Sequence, residues 1–67
     1  PMTVAKITEI SSTSPVSFED AIKKGVARAS QTLHGLKGAR VSEQKVKIEG
    51  DKIVEYQVIL RLTFVLD

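Results

Sequence analysis

The sequence predicts an α+β domain of element order β-α-β-β, in which a three-stranded antiparallel sheet wraps on one amphipathic helix. Three observations lead there. From Val54 the even positions, Val54, Tyr56, Val58, Leu60, Leu62, Phe64 and Leu66, are all apolar, whereas the odd positions mix Glu55, Gln57, Arg61 and Thr63 with Ile59 and Val65. That period of two describes a strand with one fully apolar face. Phe18, Ile22, Gly25, Val26, Ala29 and Leu33 recur at helical spacing, the stripe of an amphipathic helix. Between them, Glu49-Gly50-Asp51-Lys52 places turn formers between two strand-like runs, the mark of a hairpin.

Taken in order, Val4 to Ile10 reads as the first strand, rich in Val, Ile and Thr. Its alternation is imperfect, which suits a strand covered on both faces. Ser11-Ser12-Thr13-Ser14-Pro15 reads as a turn. Ser17 is placed to accept a hydrogen bond from the Asp20 backbone, with Asp20 reaching back as a shortened capping box. Glu19 and Asp20 favour the positive end of the helix dipole. The small residues Gly25 and Ala29 on the apolar stripe predict close packing of helix on sheet. His34-Gly35 ends the helix, with Gly35 as a left-handed cap.

A second strand is expected over residues 39–48. The hairpin register follows from charge. A three-residue loop, Gly50-Asp51-Lys52, pairs Ile48 with Val54 and Val46 with Tyr56 on the core side, and Lys47 with Glu55 and Lys45 with Gln57 on the other. A two-residue loop would bury Lys45 and Lys47 with the apolar row, and lone buried ammonium groups are costly. The longer loop leaves Arg40, Ser42 and Gln44 on the core side; a bulge, or the end of the core, would relieve them.

Sixty-seven residues make a single domain, 1–67, near the lower limit for a self-sufficient core. There is no cysteine to staple it. The last strand alone spans ~43 Å, against a diameter of roughly 28 Å for a compact chain of this size. A helix of about sixteen residues covers only ~24 Å of it. Part of the sheet therefore stays open unless other copies close over it, and the chain reads as a subunit built for assembly. No window is apolar enough to span a membrane, and Pro1–Ser12 has one charge of each sign without a long apolar core, unlike a secretory leader. A soluble, cytoplasmic protein is the expectation.

Little in the sequence supports catalysis: one histidine, no cysteine, and no Ser-His-Asp set that the order of elements brings together. His34 reads as a residue favourable to a helix C-terminus, and Gly35 and Gly38 as cap and loop. A small basic nucleic-acid-binding adaptor is the alternative, carried by Lys23, Lys24, Arg28, Lys37, Arg40, Lys45 and Lys47. Ten basic against eight acidic side chains is a weak excess, however, and Phe18, Tyr56 and Phe64 sit on core stripes, leaving no platform for base stacking. Symmetry in an assembly would multiply single carboxylates into a cation site, with Glu9, Glu43, Glu55 and Asp67 as candidates; as single residues they read as ion-pair partners on the surface, Glu55 with Lys47 for example. Gln57 interrupts the outer face beside Ile59. Its amide suits a hydrogen bond across a subunit contact or to a ligand.

Lys6-Ile7-Thr8-Glu9-Ile10, Ser14-Pro15, Phe18-Glu19-Asp20-Ala21-Ile22, Arg28-Ala29-Ser30-Gln31-Thr32-Leu33, Ile48-Glu49-Gly50-Asp51-Lys52, Tyr56-Gln57-Val58 and Phe64-Val65-Leu66 follow one another in an order that resembles the dodecin family over nearly the whole chain. The resemblance implies a non-enzymatic β-α-β-β subunit that assembles into a hollow homododecamer. Many members stack flavin pairs between tryptophans at subunit contacts, and some bind coenzyme A or cations. Gln57 looks like the family's flavin-facing glutamine, and Lys45 stands where a basic residue meets the ligand. Gly38, after Leu36-Lys37, stands where the stacking tryptophan is found, and Ala39 where an aromatic is common; the chain has no tryptophan. Ala39–Gln44 resembles the tryptophan-less branch in which calcium binding occurs, without assigning metal ligands here. The expectation is a cage that stores a small ligand or ion: flavin (riboflavin or FMN) held weakly through Gln57 and Lys45, or a divalent cation such as calcium.

Overall fold

The computed structural model describes residues 4–66 and has the expected order: β1 (Val4–Ser14), α1 (Phe18–Thr32), β2 (Leu36–Glu49) and β3 (Lys52–Leu66). The sheet is antiparallel with strand order β1-β3-β2, so the most regularly alternating strand is central and both partners are edges.

The even face of β3 meets the helix. Val58, Leu60, Leu62 and Phe64 are buried, together with Ala21 and Ala29; Ile10, Phe18, Ile22, Val26, Leu33 and Leu36 close around them. The seam of the helix is Ala21, Gly25 and Ala29. Ala21, absent from the predicted stripe, is completely buried. Phe18 and Tyr56 meet edge to face with ring centres 5.1 Å apart, a favoured aromatic geometry.

β1 runs past the predicted turn. Ser11 to Ser14 pair with Ile59 to Tyr56, and the hydroxyls that favour turns in isolation find partners on the helix. Ser12 Oγ donates to the Ala21 carbonyl at 2.7 Å and Ser14 Oγ to Asp20 Oδ2 at 2.5 Å. Ser14 also accepts from Val16 N–H, so this buried hydroxyl is satisfied. Only one face of β1 is covered within a subunit; Ile7 stays 61% exposed, against the expectation of cover on both.

Ser17 caps the helix as expected, accepting from Asp20 N–H at 3.0 Å. Asp20 does not complete a capping box; its carboxylate takes Ser14 and pairs with Lys24 at 3.0 Å. These two contacts, Ser14's the larger, lower its pKa from the ordinary aspartate value. A group whose pKa falls on folding adds stability that is complete above its unfolded pKa and is lost as pH drops through the folded one. Asp20→Asn should therefore lower the urea midpoint at neutral pH and flatten its fall in acid; parallel pH profiles for the two proteins would contradict this. At the other end, Leu33 is the helix cap, donating to the Ala29 carbonyl at 2.9 Å. Gly35, left-handed at φ 76°, lies two residues further on. It accepts Val65 N–H at 3.1 Å, so it turns the chain into β2 rather than capping the helix directly.

The hairpin loop is two residues, not three. Glu49 faces Lys52 and Ile48 faces Ile53; Gly50 and Asp51 both have positive φ, 58° and 63°, as a type I′ turn requires. A register shift then leaves Val54 unopposed, and Lys47–Glu55, Val46–Tyr56 and Lys45–Gln57 pair as predicted. The bulge keeps both lysines on the outer face. A second bulge at Ser42, between the Val41–Leu60 and Glu43–Ile59 pairs, turns Arg40 outward opposite Arg61 and leaves Gln44 on the helix side, opposite Val58.

The subunit is an open, elongated body of 53 × 20 × 13 Å with a radius of gyration of 14.0 Å; a compact chain of this length would be near ~11 Å. The fifteen residues of α1 span ~22 Å, less than half of β3. Val46, Ile48, Ile53 and Val54 at the hairpin and Val4 and Leu66 at the other end remain exposed.

Candidate functional site

The outer face of the sheet carries the predicted site residues. β3 contributes Glu55, Gln57, Ile59, Arg61 and Thr63 in alternation, and pairing sets Thr13 and Lys45 on either side of Gln57, Ser11 and Glu43 beside Ile59, Glu9 and Arg40 beside Arg61, and Ile7 and Gly38 beside Thr63. Gln57 is half-buried, and its Nε2 donates to Ser11 Oγ at 2.8 Å. Its carbonyl oxygen stays available as an acceptor. Lys45 lies on the same rung and is exposed.

Gly38 is not brought to this pair. It opposes Thr63, six residues along β3 from Gln57, a distance of ~20 Å. A site that uses all three must combine them from different subunits. No atom lies within 4 Å of where a Cβ on Gly38 would stand, so the space an aromatic ring would take is open. The described aromatic residues do not supply a substitute: Phe18 and Tyr56 pack on each other and Phe64 is buried. The outer face of the sheet thus offers the amide of Gln57 and no aromatic side chain among the described residues.

The described carboxylates do not converge in one subunit. Glu9 pairs with Arg61 Nε at 3.2 Å, Glu43 stands beside Ile59, and Lys47 turns to Glu49 at 3.5 Å instead of to Glu55. Asp67 lies outside the described residues. Among the described residues no three His, Cys, Asp or Glu side chains gather to hold a metal ion. The basic residues are dispersed as well: Lys23 pairs with Glu19 and Lys24 with Asp20, each at 3.0 Å. No helix among the described residues is long and apolar enough to cross a membrane.

Sequence reasoning missed Ser11, which orients Gln57, and the placing of Arg40 directly opposite Arg61. Neither has a local signal: the first depends on β1 continuing past Ile10, the second on the bulge at Ser42.

Comparison with known proteins follows this geometry closely. The family model described as Dodecin matches residues 4–67. The curated calcium dodecin of Mycobacterium tuberculosis is 33% identical over 63 residues, covering 94% of this chain and 89% of its own length. Among solved structures, the dodecin from Streptomyces coelicolor superposes with a TM-score of 0.91 at 35% identity, over 97% of this chain and 93% of that one. A structure of the Mycobacterium tuberculosis calcium dodecin, described as calcium-chelating with a novel calcium-binding site, gives 0.82 at 31% identity, over 96% and 91%.

Proposed function

The chain belongs to the dodecin family, and on that premise we propose that it is a non-enzymatic subunit of a hollow homododecamer that binds or buffers a small ligand or ion. The observation that carries the reading is the unfinished surface of the subunit. Its accessible area is 4997 Å², whereas a folded monomer of this mass would expose about 4,200 Å². The excess of roughly 800 Å² matches one partner's share of a standard interface, and the exposed Val46, Ile48, Ile53, Val54, Val4 and Leu66 supply its apolar part.

Two features favour storage between subunits over chemistry within one. Gln57 offers a carbonyl oxygen on the same rung as Lys45, a pair of residue types suited to holding a polar ring edge or phosphate. Single carboxylates spaced along an open sheet become clusters when symmetry repeats them. Calcium is the cation this reading favours, given the calcium dodecin among the relatives; flavin is held weakly, because Gly38 leaves the ring without a stack. Native mass spectrometry is expected to return a twelve-subunit particle, and equilibrium dialysis to show calcium retained in proportion to subunits. A lone folded monomer at micromolar concentration would remove the cage and every site between its walls. Oligonucleotide binding at low salt, weakening steeply as salt rises, would instead favour the nucleic-acid adaptor.

A further inference from the structure

The small residues that seat α1 on the sheet also leave space beside it. Gly25 lies against Ser12 of β1, and β1 is an edge strand, so no further strand closes the angle between helix and sheet on that side. The result is a groove of about 400 Å³, within the range of about 300–1,000 Å³ usual for small-molecule sites. Its floor is apolar: Ile10 from β1, and Gly25, Ala29 and Leu33 from α1 and its cap. The groove lies on the helix side of the sheet, opposite the face that carries Gln57 and Lys45.

One wall of the groove is cationic. Lys24, Arg28 and Thr32 follow one another at intervals of four, so they share one edge of the helix, and all three line the groove. Among the described residues, no acidic side chain lines it. Lys24 is partly neutralised by Asp20 at 3.0 Å. Arg28 is not: its Nη1 donates to the neutral Gln31 Oε1 at 2.9 Å, and no carboxylate pairs with it among the described residues. Its remaining N–H groups are donors without an anion. We infer that the groove binds a small aliphatic carboxylate, its charged end on Arg28 and Lys24 and its chain along the apolar floor. A carboxylate matches the planar fork of a guanidinium. The negative end of the helix dipole, at Thr32, repels an anion. That sets the direction: the carboxylate stays at Lys24 and Arg28, and the chain runs toward Leu33.

Octanoate is the probe, titrated by isothermal calorimetry into the purified wild-type protein, with one molecule expected per subunit. Hexanoate should bind about tenfold more weakly, since each buried CH₂ is worth about fourfold in affinity. Octylamine, with the same chain and the opposite charge, should not bind. Arg28→Gln should weaken octanoate at least about tenfold, with Arg28→Lys, which keeps the charge but not the fork, in between. Thr32→Phe, which fills the groove and leaves both cations in place, should abolish binding. Arg28 and Thr32 are exposed, so these variants are expected to keep the fold, read by circular dichroism. Octylamine or hexanoate binding as well as octanoate would overturn the site, as would octanoate affinity unchanged in Arg28→Gln or in Thr32→Phe. Absence of octanoate binding in the wild type would end the proposal. Fewer subunits in the native mass spectrum of Thr32→Phe would then make the groove a contact between copies.

Discussion

Replacing Gly38 by tryptophan is expected to raise riboflavin affinity by roughly ten- to a hundredfold, read as quenching of flavin fluorescence on titration. Aromatic stacking adds about 0.5–1.5 kcal/mol per pair beyond the area buried, and a ring held between two indoles takes that gain twice. Each 1.4 kcal/mol is about tenfold in affinity. The site is permissive: no atom stands within 4 Å of a Cβ at Gly38, and as an exposed strand residue it has no left-handed conformation to give up. Gln57, already oriented by Ser11, supplies the polar contact in the same variant. The double variant with Gln57→Leu should lose part of the gain. If the tryptophan variant keeps its subunit number yet binds riboflavin no better than the wild type, the space between subunits has closed and the flavin-type site is gone from this chain.

The elements that were legible in advance share one property: they can be read from a single strand or helix. The alternation from Val54 to Leu66 needs no partner to interpret, and neither does the stripe from Phe18 to Leu33 or the Ser17 cap. What escaped depends on pairing between segments. Ser11 to Ser14 carry turn composition, but α1 presents Ala21's carbonyl and Asp20's carboxylate to their hydroxyls, and the strand continues. Charge alone predicted the register at Lys45 and Lys47. It assigned that register to a three-residue loop, whereas a two-residue turn followed by the bulge at Val54 produces it. Arg40 changes face on the strength of one extra residue, Ser42. Ala21 escaped because alanine carries little apolar signal, although the closeness of helix and sheet is what buries it completely.

The same logic limits the candidate site. Gln57 and Lys45 share a rung, and the hairpin register was enough to place them together. Gly38 belongs to the other end of the sheet, and only neighbouring copies can bring it near a glutamine. The physical reason is the shape of the subunit: on a body 53 Å long, Gln57 and the Gly38–Thr63 pair lie six residues apart along β3, so a site that uses both must form where copies meet.

Gly25→Val should be among the most damaging substitutions in the chain, costing about 2–4 kcal/mol against unfolding. A Cβ at this position would stand 3.0 Å from Ser12 Cβ and 3.2 Å from Leu60 Cδ1. Neither neighbour can retreat easily. Ser12 is a paired strand residue whose hydroxyl is tied to the Ala21 carbonyl, and Leu60 is completely buried. The helix would have to lift from the sheet, opening the seam at Ala21 and Ala29 as well. Gly25→Ala separates two opposing effects. Alanine favours a helix interior by about 1 kcal/mol over glycine, so alanine should be destabilising by less than valine, with the clash outweighing the propensity. A domain of this size has only about 3–10 kcal/mol of stability in total, and assembly adds to it only if the subunit first folds. Urea denaturation at fixed protein concentration should therefore show the valine midpoint well below the alanine one, and native mass spectrometry should show fewer assembled subunits. A valine variant as stable as the wild type would mean that the helix does not ride this close to Ser12, and the packing that places the outer face and its site residues would need to be redrawn.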